Sequence, residues 1–217
     1  MGNWSCQSLF IAYFVASLVR FELTALCSAS KCSDPLSYRD VCENDFTTKC
    51  YTTNMKITIE LTPKPEHSDS VINFLDKHWG SVNVVSRGKI TDASTISRII
   101  VISKNSGVIG LTTFLINDED HSCELVSIDA EEKSKGIGTK MMKFLEKITK
   151  EKGVKRIWLI TTNDNYDAAR FYIKNGYRLV AIHKDALDIS RKLKSQIPKI
   201  GKYGIPIQDE WEFEKFL

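Results

Sequence analysis

The stretch from Glu124 to Gly138 constrains this chain more than any other. It opens as a β-branched apolar run, Leu125 to Ile128, the pattern of a buried strand. It then turns polar and basic, passes two glycines one residue apart, and enters a helical repeat of Ile137, Met141, Leu145 and Ile148 that Gly153 stops. A strand therefore feeds a glycine-bearing loop, which feeds a helix N-terminus. The first amides of a helix lack intrahelical partners and sit at the positive end of its dipole, so they seat an anion. Gly136 and Gly138 present no Cβ to hold that anion off, and Lys133, Lys135 and Lys140 add positive charge. The stretch reads as a pyrophosphate cradle; a glycine-tolerant loop before an ordinary amphipathic helix is the plainer alternative.

Two familiar cradles are excluded. The string G-x-x-x-x-G-K-[ST] is absent, and G-x-G-x-x-G fails because its third glycine position holds Met141. A basic residue followed by x-x-G-x-G remains: Lys133, Gly136 and Gly138.

The chain has 217 residues, 42% apolar and 26% charged, a globular composition with room for one domain and an appendage. A net charge of +3 gives no argument for nucleic acid. Cys6, Cys27, Cys32, Cys42 and Cys50 crowd the first fifty residues, Cys123 stands alone, and no C-x-x-C spacing calls for zinc; no metal is expected. Residues 1–54 read as a leader, signal-like or disordered. Leu9–Val19 has the length of a signal hydrophobic region but no preceding Lys or Arg, and is too short to span a bilayer comfortably. The expected location is cytoplasmic, with the secretory pathway as the alternative should residues 1–29 act as a signal.

A domain over 55–217 is expected from the alternation that begins at Met55. Strand patterns fall at 56–61, 82–86, 97–103, 108–116 and 123–129, with a helix between the first two capped by Ser68 or Asp69. After the 137–152 helix come a strand at 156–162, a helix opened by Asn163, Asp164 and Asn165 and closed by Asn175 and Gly176, and a strand at 177–183. A basic helix at 185–194, a loop and a final strand around Trp211 and Phe213 complete the chain. The order implies an α/β fold: a mixed sheet of about six to seven strands, antiparallel in its first half and parallel around the cradle.

A second string follows the cradle by one strand: Asn165, Ala168, Phe171 and Tyr172, then Gly176 and Tyr177. On a helix, Asn165, Ala168, Ala169 and Tyr172 share a side. Alone these are a cap and a core pair. With the cradle they resemble the GCN5-related N-acetyltransferases (GNAT), over Met55–Leu217 broadly and Cys123–Tyr177 in specific motifs. The tail from Ile197 to Glu210 is similar to that of functionally unassigned members. Two departures are Lys133, where the family usually has Gln or Arg, and Ala130, where it often has proline.

The resemblance implies acetyl-CoA as acyl donor and a small-molecule or peptide amine as acceptor, in a monomer or homodimer with no stable membrane span. The strand at Val126, Ser127 and Ile128 would bond the pantetheine through its backbone. Amides of Lys133, Ser134, Lys135, Gly136, Ile137, Gly138 and Thr139 would hold the pyrophosphate, and Asn165 would contact the pantetheine arm. Tyr172 would sit near the sulfur as general acid. Glu124, which opens the cradle strand and shares a face with Val126 and Ile128 by strict alternation, is the candidate base, and Asp129 on the opposite parity reads as a turn residue. A strand that splays near Ile128 would leave a backbone N–H for the oxyanion. The acceptor site would be built from Trp79–Lys89 and Ser195–Glu210, with Arg87, Asp209 and Glu210 as contacts. A non-catalytic acyl-CoA sensor is the alternative.

Overall fold

The alternation over residues 99–101 shows how the sheet is loaded: Ile99 and Val101 enter one core and Ile100 the other. In this computed structural model, which describes residues 55–217 apart from 104, 105, 133 and 134, helices cover both faces of one sheet. The leader expected over residues 1–54 lies outside the described residues.

The elements are β1 (Met55–Glu60), α1 (Pro65–Trp79), β2 (Asn83–Ser86), β3 (Lys89–Asp92), β4 (Ser97–Ser103), β5 (Gly107–Asn117), β6 (Ser122–Ala130), α2 (Ile137–Glu151), β7 (Arg156–Thr162), α3 (Tyr166–Lys174), β8 (Arg178–His183), α4 (Ala186–Leu193) and β9 (Glu210–Phe216). The main sheet has seven strands in the order β1-β4-β5-β6-β7-β9-β8, and β2 and β3 form a separate hairpin. Among the described residues only β6 and β7 pair in parallel, through the α2 crossover. The mixed sheet is thus the one expected, antiparallel before the cradle and parallel across it.

Two cores flank the sheet. Met141, Met142 and Leu145 of α2 and Ala169 and Tyr172 of α3 pack on Phe114, Leu125 and Phe213. On the other face Val71, Phe74 and Leu75 of α1 pack on Val84, Ile100 and Leu111. Helix α1 starts a turn earlier than Ser68, at Pro65, where the missing proline N–H removes nothing the helix needs. The final strand β9 slips between β7 and β8, so β8 becomes the sheet edge.

Two irregularities of β6 position the site. Its ladder with β7 runs from Ser122↔Arg156 to Leu125↔Leu159 and stops there, leaving the β7 side of residues 126–130 without a strand partner. On the other side, Thr113 faces Ser127 and Phe114 faces Leu125, so Val126 is a bulge with no opposite residue. The bulge overturns the expected parity. Val126 packs with the α1 core while Ile128 joins the α2–α3 core. Asp129, expected on the opposite side from Val126, lies 3.4 Å from Nδ1 of His78 in α1.

At the end of β1, Arg98 and Glu60 form a buried ion pair, with Arg98 Nε 2.6 Å from Glu60 Oε2. Arg98 also donates to the carbonyls of Ser94 and Lys64, and Glu60 accepts from the Lys64 amide and from His67. Burial works to raise the Glu60 carboxyl, but these hydrogen bonds hold it below the ordinary carboxylate value. Glu60, Glu66 and His67 lie close enough together to share a cation, yet Arg98 already supplies the positive charge there.

Candidate active site

The start of α2 has the features of an anion seat. Gly136 occupies the N-cap position at φ +76°, with no side-chain cap and no acid in the first turn. The Lys140 amide bonds the Gly136 carbonyl at 3.0 Å. The amides of Ile137, Gly138 and Thr139 precede that bond and so lack intrahelical acceptors. All four residues from Gly136 to Thr139 line a cavity of about 970 Å³, large enough for an extended ligand and a second molecule. The two glycines differ in purpose. Gly136 needs its left-handed backbone, and nothing stands where a Cβ would go. At Gly138 a Cβ would meet the Phe171 ring at 3.3 Å, so that position lets α3 approach α2.

Of the expected basic residues that the structure describes, Lys135 and Lys140, neither faces the cavity. Lys135 pairs with Glu132 and does not line it, and Lys133 and Ser134 lie outside the described residues. Arg170, Lys174 and Lys202 line it instead. Arg170 and Lys174 stand at i and i+4 on α3, a spacing that in sequence is the mark of any solvated helix face.

The middle of the cavity is bounded by Leu125–Ala130, where β6 has parted from β7, and by Asn165, Ala168 and Tyr172 of the α3 region. Asn165 holds the N-cap position without making a cap bond; its Oδ1 accepts from Lys202 Nζ at 2.8 Å. Ala168 faces the cavity while Ala169 is buried in the core. Tyr172 is buried against Phe171, Tyr177 and Phe213. Its hydroxyl has no hydrogen-bond partner among the described residues. Burial, and then the negative charge of Asp129, push that phenol well above its ordinary range, so it stays protonated.

Asn163 and Asp164, expected to cap α3, fasten the following loop. Asn163 Oδ1 accepts from the amides of Gln208 and Asp209, and its Nδ2 donates to the Pro206 carbonyl. Asp164 Oδ2 accepts from the Lys202 amide at 2.9 Å. Gly201 sits against this clasp: a Cβ there would stand 2.0 Å from Asp164 Oδ2 and 2.7 Å from Ile207 Cγ1. Gly201→Ala is expected to cost about 1–3 kcal/mol through overpacking, read as a lower midpoint in chemical denaturation together with faster proteolysis within 195–209. An unchanged midpoint would show that the clasp yields freely.

At the far end Glu124 is half-buried and lines the cavity. Burial raises its carboxyl; Lys89 and Arg87 oppose that, and Glu212 adds to it. Glu210, 1% exposed, also lines the cavity, accepting from the Arg87 amide at 2.9 Å and from Ser190 Oγ at 3.2 Å. The Arg87 side chain, expected as an acceptor contact, turns to Glu212 at 3.8 Å and lies over the Trp158 ring instead of lining the cavity. Asp209 accepts from the Asp185 amide and does not line it either. Cys123 lies in the core, where burial and then Glu124 raise its thiol to about 12, which keeps it from acting as a nucleophile.

An uncapped helix start, a parted strand and an unpartnered phenol opening on one cavity direct attention to acyl transfer. The model of the Acetyltransferase (GNAT) family matches residues 60–177, more than half of the chain. This protein belongs to that family. The chain is also similar to Uncharacterized protein YxbD of Bacillus subtilis, at 37% identity over 142 residues, 65% of this chain and 88% of the relative. Two solved structures share the GNAT fold with it. One is a Bacillus subtilis acetyltransferase in complex with CoA, with a TM-score of 0.52 and 18% identity over 75% of this chain and 99% of that one. The other is a GNAT family acetyltransferase from Elizabethkingia anophelis with acetyl-CoA bound, with a TM-score of 0.52 and 20% identity over 76% of this chain and 100% of that one. Among the described residues of this GNAT protein, no helix is long and apolar enough to cross a membrane.

Proposed function

We propose that this protein is an N-acetyltransferase that moves an acetyl group from acetyl-CoA to an amine by direct attack through a tetrahedral intermediate. The observation that carries the reading is the convergence on one cavity of the free α2 amides, the open edge of β6 and the Tyr172 hydroxyl. Acetyl-CoA supplies an activated carbonyl and a thiolate leaving group. The amides of Ile137, Gly138 and Thr139 suit its pyrophosphate, with Arg170 and Lys174 adding charge, and the unpaired side of Val126–Ile128 suits the pantetheine amides.

Glu124 takes one proton from the incoming ammonium, leaving a neutral amine whose lone pair forms the new C–N bond. A backbone N–H near Ile128, in the stretch of β6 that β7 leaves unpaired, donates to the oxyanion. When the C–S bond breaks, Tyr172 gives its proton to the sulfur, and the second nitrogen proton restores the phenol. The third proton stays on the amide product.

Release of free thiol from acetyl-CoA, assayed across amines, amino acids and peptides, tests the reaction. Glu124→Gln should lower kcat by about 10²-fold or more. Because burial raises the Glu124 carboxyl, the acid limb of the wild-type kcat profile should lie above the usual carboxylate value of about 4.3. Activity should fall as pH drops through that raised value, and the variant should lose the limb. A Glu124→Gln profile that keeps it would assign the base elsewhere.

A further inference from the structure

Cations and carboxylates both line the cavity. Arg170 and Lys174 stand on α3, whose Phe171 packs against Gly138 of the cradle, and Lys202 is tied to Asn165; Asp129, Glu132 and Asp167 also line the cavity. Around the β2–β3 hairpin and α4 the lining is apolar, Val84, Val85, Leu187 and Ile197, and carries two carboxylates, Glu124 and Glu210, the latter held by Arg87 and Ser190; this is the acceptor end. Glu210 is the more telling of the pair. It is almost wholly buried, and its two hydrogen bonds come from an amide and a hydroxyl, neither of which carries charge. The guanidinium that could neutralise it, Arg87, is directed to Glu212 and Trp158. Lys194 is the cation lining this end, and its ammonium is committed to the Asn83 carbonyl at 2.9 Å, which ties α4 to the β2 wall.

From this we infer that the acceptor is a primary amine carried on an apolar or aromatic body and lacking a carboxylate. The inference rests on the acetyltransferase reading and narrows it. An ammonium entering between apolar walls meets Glu124 and Glu210 and loses its proton to the first. Tyr172, whose hydroxyl has no partner among the described residues, lines the same cavity. An α-amino acid would bring its carboxylate against Glu210 in a site of low polarity, where like charges repel strongly. A polyamine or aminoglycoside would leave its additional cations and hydroxyls against the apolar walls.

The test compares three acceptors of one shape with the full-length protein and acetyl-CoA: phenethylamine, phenylalanine amide and phenylalanine. Phenethylamine and the amide should show kcat/KM at least about tenfold above phenylalanine, because only phenylalanine carries the carboxylate. Glu210→Gln, which keeps an acceptor for the Arg87 amide, should raise KM for phenethylamine with kcat little changed and should narrow the gap to phenylalanine. A merely structural role for Glu210 would instead lower turnover of all three alike. Preference for phenylalanine, or turnover confined to spermidine, an aminoglycoside or a peptide, would overturn the inference and leave acetyl transfer standing. Thiol release with none of these acceptors would overturn both.

Discussion

Tyr172→Phe should lower kcat by about two to four orders of magnitude, the range for loss of a positioned general acid. The melting-temperature increase on adding acetyl-CoA should stay the same. The substitution isolates the proton. Phenylalanine keeps the ring in contact with Phe171, Tyr177 and Phe213, at centroid distances of 5.5, 6.3 and 5.8 Å. The hydroxyl it removes has no protein partner among the described residues, so the fold loses no hydrogen bond. Burial and Asp129 raise the phenol, which keeps its proton in place but makes it a weaker acid than the thiol, so transfer to sulfur requires the nitrogen proton to restore the phenol in the same step. A variant that turns over at the wild-type rate would remove Tyr172 from the chemistry. A variant that binds acetyl-CoA and does not turn over is the expected result.

The largest effect on stability should come from Arg98→Ala, far from that chemistry. Arg98 and Glu60 have fully buried side chains and are joined through Nε at 2.6 Å and Nη2 at 2.5 Å. Removing the guanidinium leaves a carboxylate in the interior, with one main-chain amide and His67 as its remaining partners. Breaking such a pair from one side costs about 3–5 kcal/mol, which for a domain of this size lowers the melting temperature by roughly 10 °C. The double variant Glu60→Gln with Arg98→Met should recover part of the loss, since it leaves no orphan charge. A loss below about 1 kcal/mol in Arg98→Ala would mean that water reaches Glu60. The sign with pH is also set. The folded Glu60 carboxyl lies below its unfolded value, so its contribution is complete above about pH 4.3 and disappears as pH falls through the lower folded value. Glu60→Gln should remove that component of acid unfolding.

The glycine-bearing start of α2 was readable because its physics is local. Gly136 is required by a left-handed N-cap, Ile137, Met141 and Leu145 by a helix with one buried face, and both requirements fall within a dozen residues. The parallel crossover and the antiparallel run before it followed from element order in the same way. Strict alternation failed at Val126, where nothing in the residue marks a bulge, and one extra residue moved Asp129 to the face expected for Ile128. Charged side chains were the other gap. Arg87 looked available to a substrate, but Glu212 and Trp158, more than seventy residues away along the chain, claim it.

The amino-acid order alone determined most of the strands and helices, though not β3, where the uncapped helix start forms, and that Asn165 and Tyr172 fall at the cap and within the next helix. These depend on hydrophobic period, glycine freedom and helix termini, all short-range properties. Only the folded chain decided that β9 would enter between β7 and β8 and bring Glu210 to the cavity, that Arg170 and Lys174 rather than Lys135 would face it, and that Asn163 and Asp164 would clasp a loop rather than cap a helix. Each of these depends on a partner distant in sequence. A charge or amide can be satisfied by several such partners, and packing selects among them.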